Sequence, residues 1–272
     1  MTEVKQAILE LSCPAKLNLF LHIVGRRPDG YHLLQSAFQL IDWCDTVTLK
    51  TIPENEVRRC NPIPGVPPEQ DLVVRAAKLL KEFSKVSSGV EIHLQKEIPM
   101  GAGLGGGSSD AASTLIGLNQ LWNLHLDMAS LSQLGLRLGA DVPFFIFGHN
   151  AFVEGIGEQI QGIALENRDF LVIFPNKGIA TASIFLDPQL TRDHAPITID
   201  GFLASPLSNH SNDCQAVAIQ ICPEVKQALD WISVALPNSE PRMSGSGSRV
   251  FTVLAAYTDI AKLVNLLLNI PK

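Results

Sequence analysis

Pro99-Met100-Gly101-Ala102-Gly103-Leu104-Gly105-Gly106-Gly107-Ser108-Ser109-Asp110 is the most informative run in the chain. Just before it, Val90, Ile92 and Leu94 alternate with Glu91, His93 and Gln95, the period of a strand. Just after it, Ala111, Leu115, Leu118 and Trp122 form an apolar stripe at helical spacing, with Ser108 or Ser109 placed to cap that helix. Glycines between a strand and a helix let the backbone approach a ligand and turn its N–H groups inward as an anion-binding nest. The helix N-terminus adds free N–H groups and the positive end of its dipole. The serines add hydroxyls. Together these features suit a di- or triphosphate.

Competing readings of the run fare worse. Gly101, Gly103 and Gly106 satisfy G-x-G-x-x-G, and Asp127 follows about twenty residues later, as in a dinucleotide fold. Asp127, however, is placed to cap a helix rather than to end a second strand, and the run is mid-chain. A Walker loop needs Lys where Gly107 stands. A flexible linker would carry polar spacers, which this run lacks.

Around the run the pattern is mixed. Lys16, Asn18, Phe20 and His22 alternate with Leu17, Leu19, Leu21 and Ile23, predicting a strand with one apolar face. Arg27-Pro28-Asp29-Gly30 is a turn. Gln35 to Lys50 reads as one or two strands. Asp71 is placed to cap a helix to about Ser84, and Asp127 one that ends near Gly139. Further on, a short buried strand is predicted over 170–174, a brief helix or turn over 181–185, helices over 209–223 and 223–235, a second glycine loop over 244–248, a strand over 250–254 and a last helix. Strands and helices mix without regular βαβ alternation, so the expected class is α+β with two lobes. The boundary is expected near 155–168, giving domains 1–160 and 161–272.

Composition narrows the function. The chain has 272 residues, 46% of them hydrophobic, and a net charge of −6. A general nucleic-acid binder would need clustered Lys and Arg. The five cysteines are odd in number and lack C-x-x-C spacing, which argues against a disulfide framework or zinc site. The first residues carry Glu3 and Glu10 and no long apolar run, unlike a signal peptide, and no stretch matches a membrane helix. The expected setting is cytoplasmic, with no nucleic-acid or membrane partner.

The run, read as PMGAGLGGGSSDAA, resembles the phosphate loop of the GHMP kinases, the family of galactokinase, homoserine kinase and mevalonate kinase. Supporting blocks span the chain: PAKLNLFLHIVGRRPDGYH (14–32), LGADVPFFIFG (138–148), AFVEGIGE (151–158), LTRDHAPITI (190–199), SNDCQAV (211–217) and MSGSGSRVF (243–251). Within the family they are most similar to the branch whose substrate is a cytidine diphosphate-linked methylerythritol, in non-mevalonate isoprenoid synthesis. The chain departs from that pattern at Asp71, where Asn is usual, at Gln215-Ala216 for Glu-Pro, and at Ser248-Arg249 for Ala-Cys.

The resemblance implies an ATP-dependent small-molecule kinase using ATP and Mg²⁺. It makes Lys16 and Asp141 catalytic, with Asp141 accepting the proton of the attacking alcohol. From the residues alone, Asp141 serves equally well as a helix cap ahead of Pro143. The resemblance places Lys96, Pro99, Met100, Gly101, Ala102, Gly103, Leu104, Gly105, Gly106, Gly107, Ser108 and Ser109 against the nucleotide. It places Asn18, Tyr31, His32, Asp141, Thr181 and Phe185 against the small-molecule substrate, Tyr31 and Phe185 stacking on cytosine and His32 bonding its polar edge. It assigns no side chain as a metal ligand.

Overall fold

The computed structural model describes residues 7–101, 103–175, 177–208, 210–261 and 263. Strands Ile8–Arg26 (β1), His32–Ile52 (β2) and Val57–Arg59 (β3) precede helix Leu72–Ser84 (α1) and strand Gly89–Gln95 (β4). Helices Gly106–Leu121 (α2), Met128–Leu136 (α3) and Val142–Phe147 (α4) follow, then strands Ala151–Gly155 (β5), Gln159–Gly162 (β6) and Phe170–Ile173 (β7). The last elements are Thr181–Phe185 (α5), Ile199–Ala204 (α6), Gln215–Ile221 (α7), Pro223–Ala235 (α8), Arg242–Met243 (β8) and Val250–Val253 (β9). The class is α+β, as the sequence implies. No described helix is long and apolar enough to cross a membrane.

The chain forms two compact units. One comprises Met1–Leu17, Phe38–Met100 and Leu104–Ile163; the other comprises Asn18–Ala37, Gly101–Gly103 and Ala164–Lys272. One sheet has the order β3-β4-β2-β5-β6, with β1 paired to β2. Strands β2 and β4 run antiparallel from Thr46↔Gln95 to Ile52↔Gly89. In the first unit, Val47, Leu49, Ile92 and Leu94 of the sheet join Val73, Leu80, Leu115 and Leu118 of the helices in one core. That core explains the strand alternation around residue 92 and the apolar stripes of α1 and α2. Asp71 caps α1 by accepting from Val73 N at 3.0 Å, and Asp127 caps α3 by accepting from Ser130 N at 2.8 Å. In the second unit, β7-β9-β8 form a small antiparallel sheet. Its core gathers Ile23, Ile184, Val217, Val225, Ile232 and Val250.

The polar face of β1 is covered as well: Lys16, Asn18 and His22 are each at most 3% exposed. Of the one or two strands expected over residues 35–50, the structure has one, His32–Ile52. One expectation changes. Helix α2 begins at Gly106, so neither Ser108 nor Ser109 is its cap; Gly105 takes that place with φ +74° and no side-chain hydrogen bond. A left-handed cap position suits glycine, whereas serine there would be strained. The expected start at Asn209 and most of the expected last helix lie outside the described residues.

Candidate active site

In the first unit the site is built on β1, the C-terminal part of the glycine run and the residue preceding α4. Lys16 is buried, yet its Nζ lies 3.4 Å from Asp141 Oδ2 and 4.4 Å from the centre of the Phe38 ring. Its backbone N donates to Leu104 O at 2.9 Å. A Cβ built on Gly105 would stand 3.3 Å from Lys16 Cγ. One strand residue thus touches the glycine run with its backbone and stem, and Asp141 with its ammonium. Asp141 precedes α4 but makes no side-chain cap bond, and its side chain is 35% exposed. Between the two roles left open above, the carboxylate faces Lys16 rather than the helix end.

Gly106, Gly107 and Ser108 open α2, and Ser109 N donates to Gly105 O at 2.9 Å. The first N–H groups of a helix have no intrahelical acceptor and remain for an anion. Ser109 Oγ is buried with no hydrogen-bond partner among the described residues. An oxygen donor left over in the first turn fits a hard cation such as Mg²⁺, which binds few protein oxygens alongside substrate phosphates. Among the described residues no group of three or more His, Cys, Asp or Glu is placed to hold a metal ion.

Lys96 lies at the entry of the run. Its ammonium is turned onto two buried carboxylates, Asp45 Oδ2 and, at 2.8 Å, Asp110 Oδ2. Burial pushes the Asp110 carboxyl up to about 7, with Lys96 opposing and Asp45 adding to the rise. Burial pulls the Lys96 ammonium down, but the two carboxylates outweigh it and its pKa ends raised. Pro99 and Met100 also lie on this side of the run, Met100 exposed. Ala102 lies outside the described residues.

In the second unit, Gly101 and Gly103 both have φ +67°. The 244–248 loop rests against them: a Cβ on Gly103 would meet Ser244 O at 3.3 Å. Arg249, fully buried with its guanidinium over the Phe174 ring, donates through Nη1 to Gly101 O at 2.8 Å. Asn18 N donates to Ser244 Oγ at 3.0 Å, and Asn18 Nδ2 to Ser36 Oγ at 3.0 Å. The Thr181 and Ser246 hydroxyls are 3.0 Å apart.

His32 and Phe185 come together, their ring centroids 5.1 Å apart. Arg192 Nε donates to His32 Nε2 at 3.1 Å, while its Nη2 donates to the carbonyls of Phe185 and Asp187. Burial, then Arg192 and Arg26, lowers the His32 pKa, which favours the neutral ring. Tyr31 is 61% exposed beside it. Sequence reasoning missed Arg192, although it lies within the 190–199 block. It also missed Phe38, Asp45 and Asp110, whose partners are distant in the chain.

The chain is similar in sequence and fold to known proteins. The family model described as the GHMP kinases N terminal domain matches residues 71–149. A 4-diphosphocytidyl-2-C-methyl-D-erythritol kinase from Polynucleobacter asymbioticus is 78% identical over 272 residues, covering 100% of this chain and 92% of that relative. One from Burkholderia mallei is 50% identical, covering 95% and 90%. The crystal structure of a 4-(cytidine 5'-diphospho)-2C-methyl-D-erythritol kinase superposes with a TM-score of 0.82 at 33% identity, covering 96% of each chain. By these similarities the chain belongs to the 4-diphosphocytidyl-2-C-methyl-D-erythritol kinase family, within the GHMP kinases.

Proposed function

We propose that this kinase transfers the γ-phosphoryl of ATP to the 2-hydroxyl of 4-diphosphocytidyl-2-C-methyl-D-erythritol, giving the 2-phosphate and ADP. The observation that carries the reading is Lys16, which touches Gly105 and Leu104 of the glycine run and lies 3.4 Å from Asp141. The run's N–H groups cradle the phosphates. Asp141, the more exposed partner, orients the alcohol and accepts its proton as the oxygen attacks phosphorus in line. Lys16 holds the carboxylate and offers positive charge to the transferring phosphoryl oxygens. Ser109 Oγ would be the side chain to hold Mg²⁺, which when bound would supply further charge neutralisation for the phosphates. Tyr31 and Phe185 stack on cytosine, and Asn18 and Thr181 bind the remainder of the substrate.

The test is ADP release with and without the cytidylated alcohol, in wild type, Asp141→Asn and Lys16→Met. Release that depends on the alcohol is expected, with Asp141→Asn lowering kcat about 10²- to 10⁴-fold. Lys16→Met should depress turnover far more than nucleotide affinity. Near wild-type turnover in a folded Asp141→Asn protein would remove that carboxylate from the transfer step.

A further inference from the structure

Asp45 is fully buried on β2, and the chemistry above makes no use of it. Its Oδ1 accepts the backbone N–H groups of Glu97 at 2.6 Å and Ile98 at 2.8 Å. Its Oδ2 accepts from the Lys96 ammonium, which also donates to Asp110 Oδ2 at 2.8 Å. Lys96, Glu97 and Ile98 lead the chain into the glycine run, and Asp110 lies in the opening turns of α2, the helix into which the run leads. One ammonium therefore ties the entry of the run to its exit, and one carboxylate ties the entry to β2. The fit is close. A Cβ on Gly106 would stand 3.2 Å from Asp45 Oδ2 and 3.1 Å from Ile98 Cγ2.

Two carboxylates around one ammonium are a costly way to fill a core. Apolar side chains of similar volume commonly do as well or better for stability. What such a cluster adds is fixed geometry. A glycine-rich segment is the segment most in need of it, because glycine leaves the backbone the most freedom to lose. Fixing both ends of the loop beforehand removes part of the ordering that a ligand would otherwise have to impose.

We infer that Asp45, Lys96 and Asp110 form a clasp that preorders the glycine run, so that they are positioning residues for nucleotide affinity rather than participants in phosphoryl transfer. The inference rests on the proposal that the run holds ATP's phosphates. It replaces a direct Lys96–nucleotide contact with an action through two carboxylates.

The experiment measures initial rates of ADP release against ATP at saturating cytidylated alcohol, together with MgADP binding by calorimetry. The proteins are wild type, Asp110→Ala, Lys96→Gln, the double variant and Asp110→Asn, each checked for folding by circular dichroism. Asp110→Ala should raise KM for ATP about tenfold or more, with kcat within about threefold and KM for the alcohol unchanged. The double variant should be no worse than Lys96→Gln alone, since partners in one device do not add. Asp110→Asn keeps an oxygen for the ammonium and should recover most of the loss. An Asp110→Ala protein with KM for ATP within about twofold of wild type, or strictly additive variants, would overturn the clasp. If Asp110→Ala does not fold, the comparison of Asp110→Asn with Lys96→Gln decides on the same criteria. A wild-type chain that neither binds MgADP nor releases ADP would overturn the phosphate-site proposal, and the clasp with it.

Discussion

Replacing Gly105 by alanine separates two reasons for a glycine at one position. Gly105 holds φ +74° at the start of α2, and an L-residue forced into that region costs about 1–2 kcal/mol. The new methyl would also stand 2.6 Å from Phe145 Cζ and 2.7 Å from Cε2, with Lys16 Cγ at 3.3 Å. Phe145 is a buried ring of the first unit's core and does not step aside as a surface side chain would. Overpacking of this kind adds about 1–3 kcal/mol, for a total of about 2–5 kcal/mol. Gly101 supplies the control. Its φ is +67°, but a Cβ there meets nothing within 4 Å, so Gly101→Ala should cost only the backbone share, about 1–2 kcal/mol. Urea unfolding of both variants against wild type reads the difference, provided the slope with denaturant is unchanged. Turnover gives a second reading. A methyl leaning on the Lys16 stem shifts its ammonium from Asp141, and displacement of about 1 Å in a reacting constellation costs on the order of 100-fold in rate. Gly105→Ala unfolding at the same urea concentration as Gly101→Ala, with wild-type kcat, would refute both the steric account and the role given to the close approach.

Two further predictions concern buried charge. His22 is 2% exposed, stacked on His194 at 3.5 Å with His210 nearby, and both its ring nitrogens lack partners among the described residues. Burial first, then His194 and His210, lowers its pKa from 6.5 to about 4. The unfolded chain takes up the proton first as pH falls, so stability is complete above about pH 6.5 and is lost towards pH 4, by at most about 3 kcal/mol from this group. His22→Phe should flatten that slope in urea midpoints measured between pH 7.5 and 4.5, and a slope identical to wild type would assign it elsewhere. Asp71 caps α1 and also accepts from Arg59 Nη1 at 2.7 Å, with both side chains nearly buried. Asp71→Ala removes a cap and leaves a buried guanidinium without its carboxylate, for about 3–5 kcal/mol. Asp71→Asn keeps the cap oxygen and should cost clearly less. Equal costs in urea titration would show that the retained cap oxygen contributes nothing and that the lost ion pair carries the whole cost.

The sequence carried its information where the signal is local. The alternation through Lys16 to Ile23, the capping aspartates at 71 and 127, and glycines between a strand and a helix each express short-range backbone physics. Failures came where the deciding partner is distant. Alternation gave β1 a polar face, but whether that face meets water depends on what covers it, and Lys16, Asn18 and His22 are covered. Serines looked like caps of α2 because their propensity is strong; the left-handed turn at Gly105 set the start instead. Arg192 reaches back to His32 across 160 residues, and Lys96 reaches Asp45 across 51. No spacing rule announces such pairs. The hairpin of β5 and β6 passed unseen although β5 and its turn stand in the 151–158 block, because its strands are short and meet around a turn that Gly155 and Gly157 permit with positive φ.

The Arg192–His32 hydrogen bond has a consequence for choice among bases. With Nε2 accepting from the guanidinium, a neutral His32 ring must carry its proton on Nδ1, so that nitrogen is a donor only. With His32 bonding the polar edge of the base, as the family resemblance implies, a pyrimidine approaching Nδ1 with a bare ring nitrogen would find its complement. One that presents an N–H at the same place brings two donors face to face and leaves both unpaired. A site that fixes the tautomer in this way would reject the uracil analogue through a mismatch of protons rather than of shape.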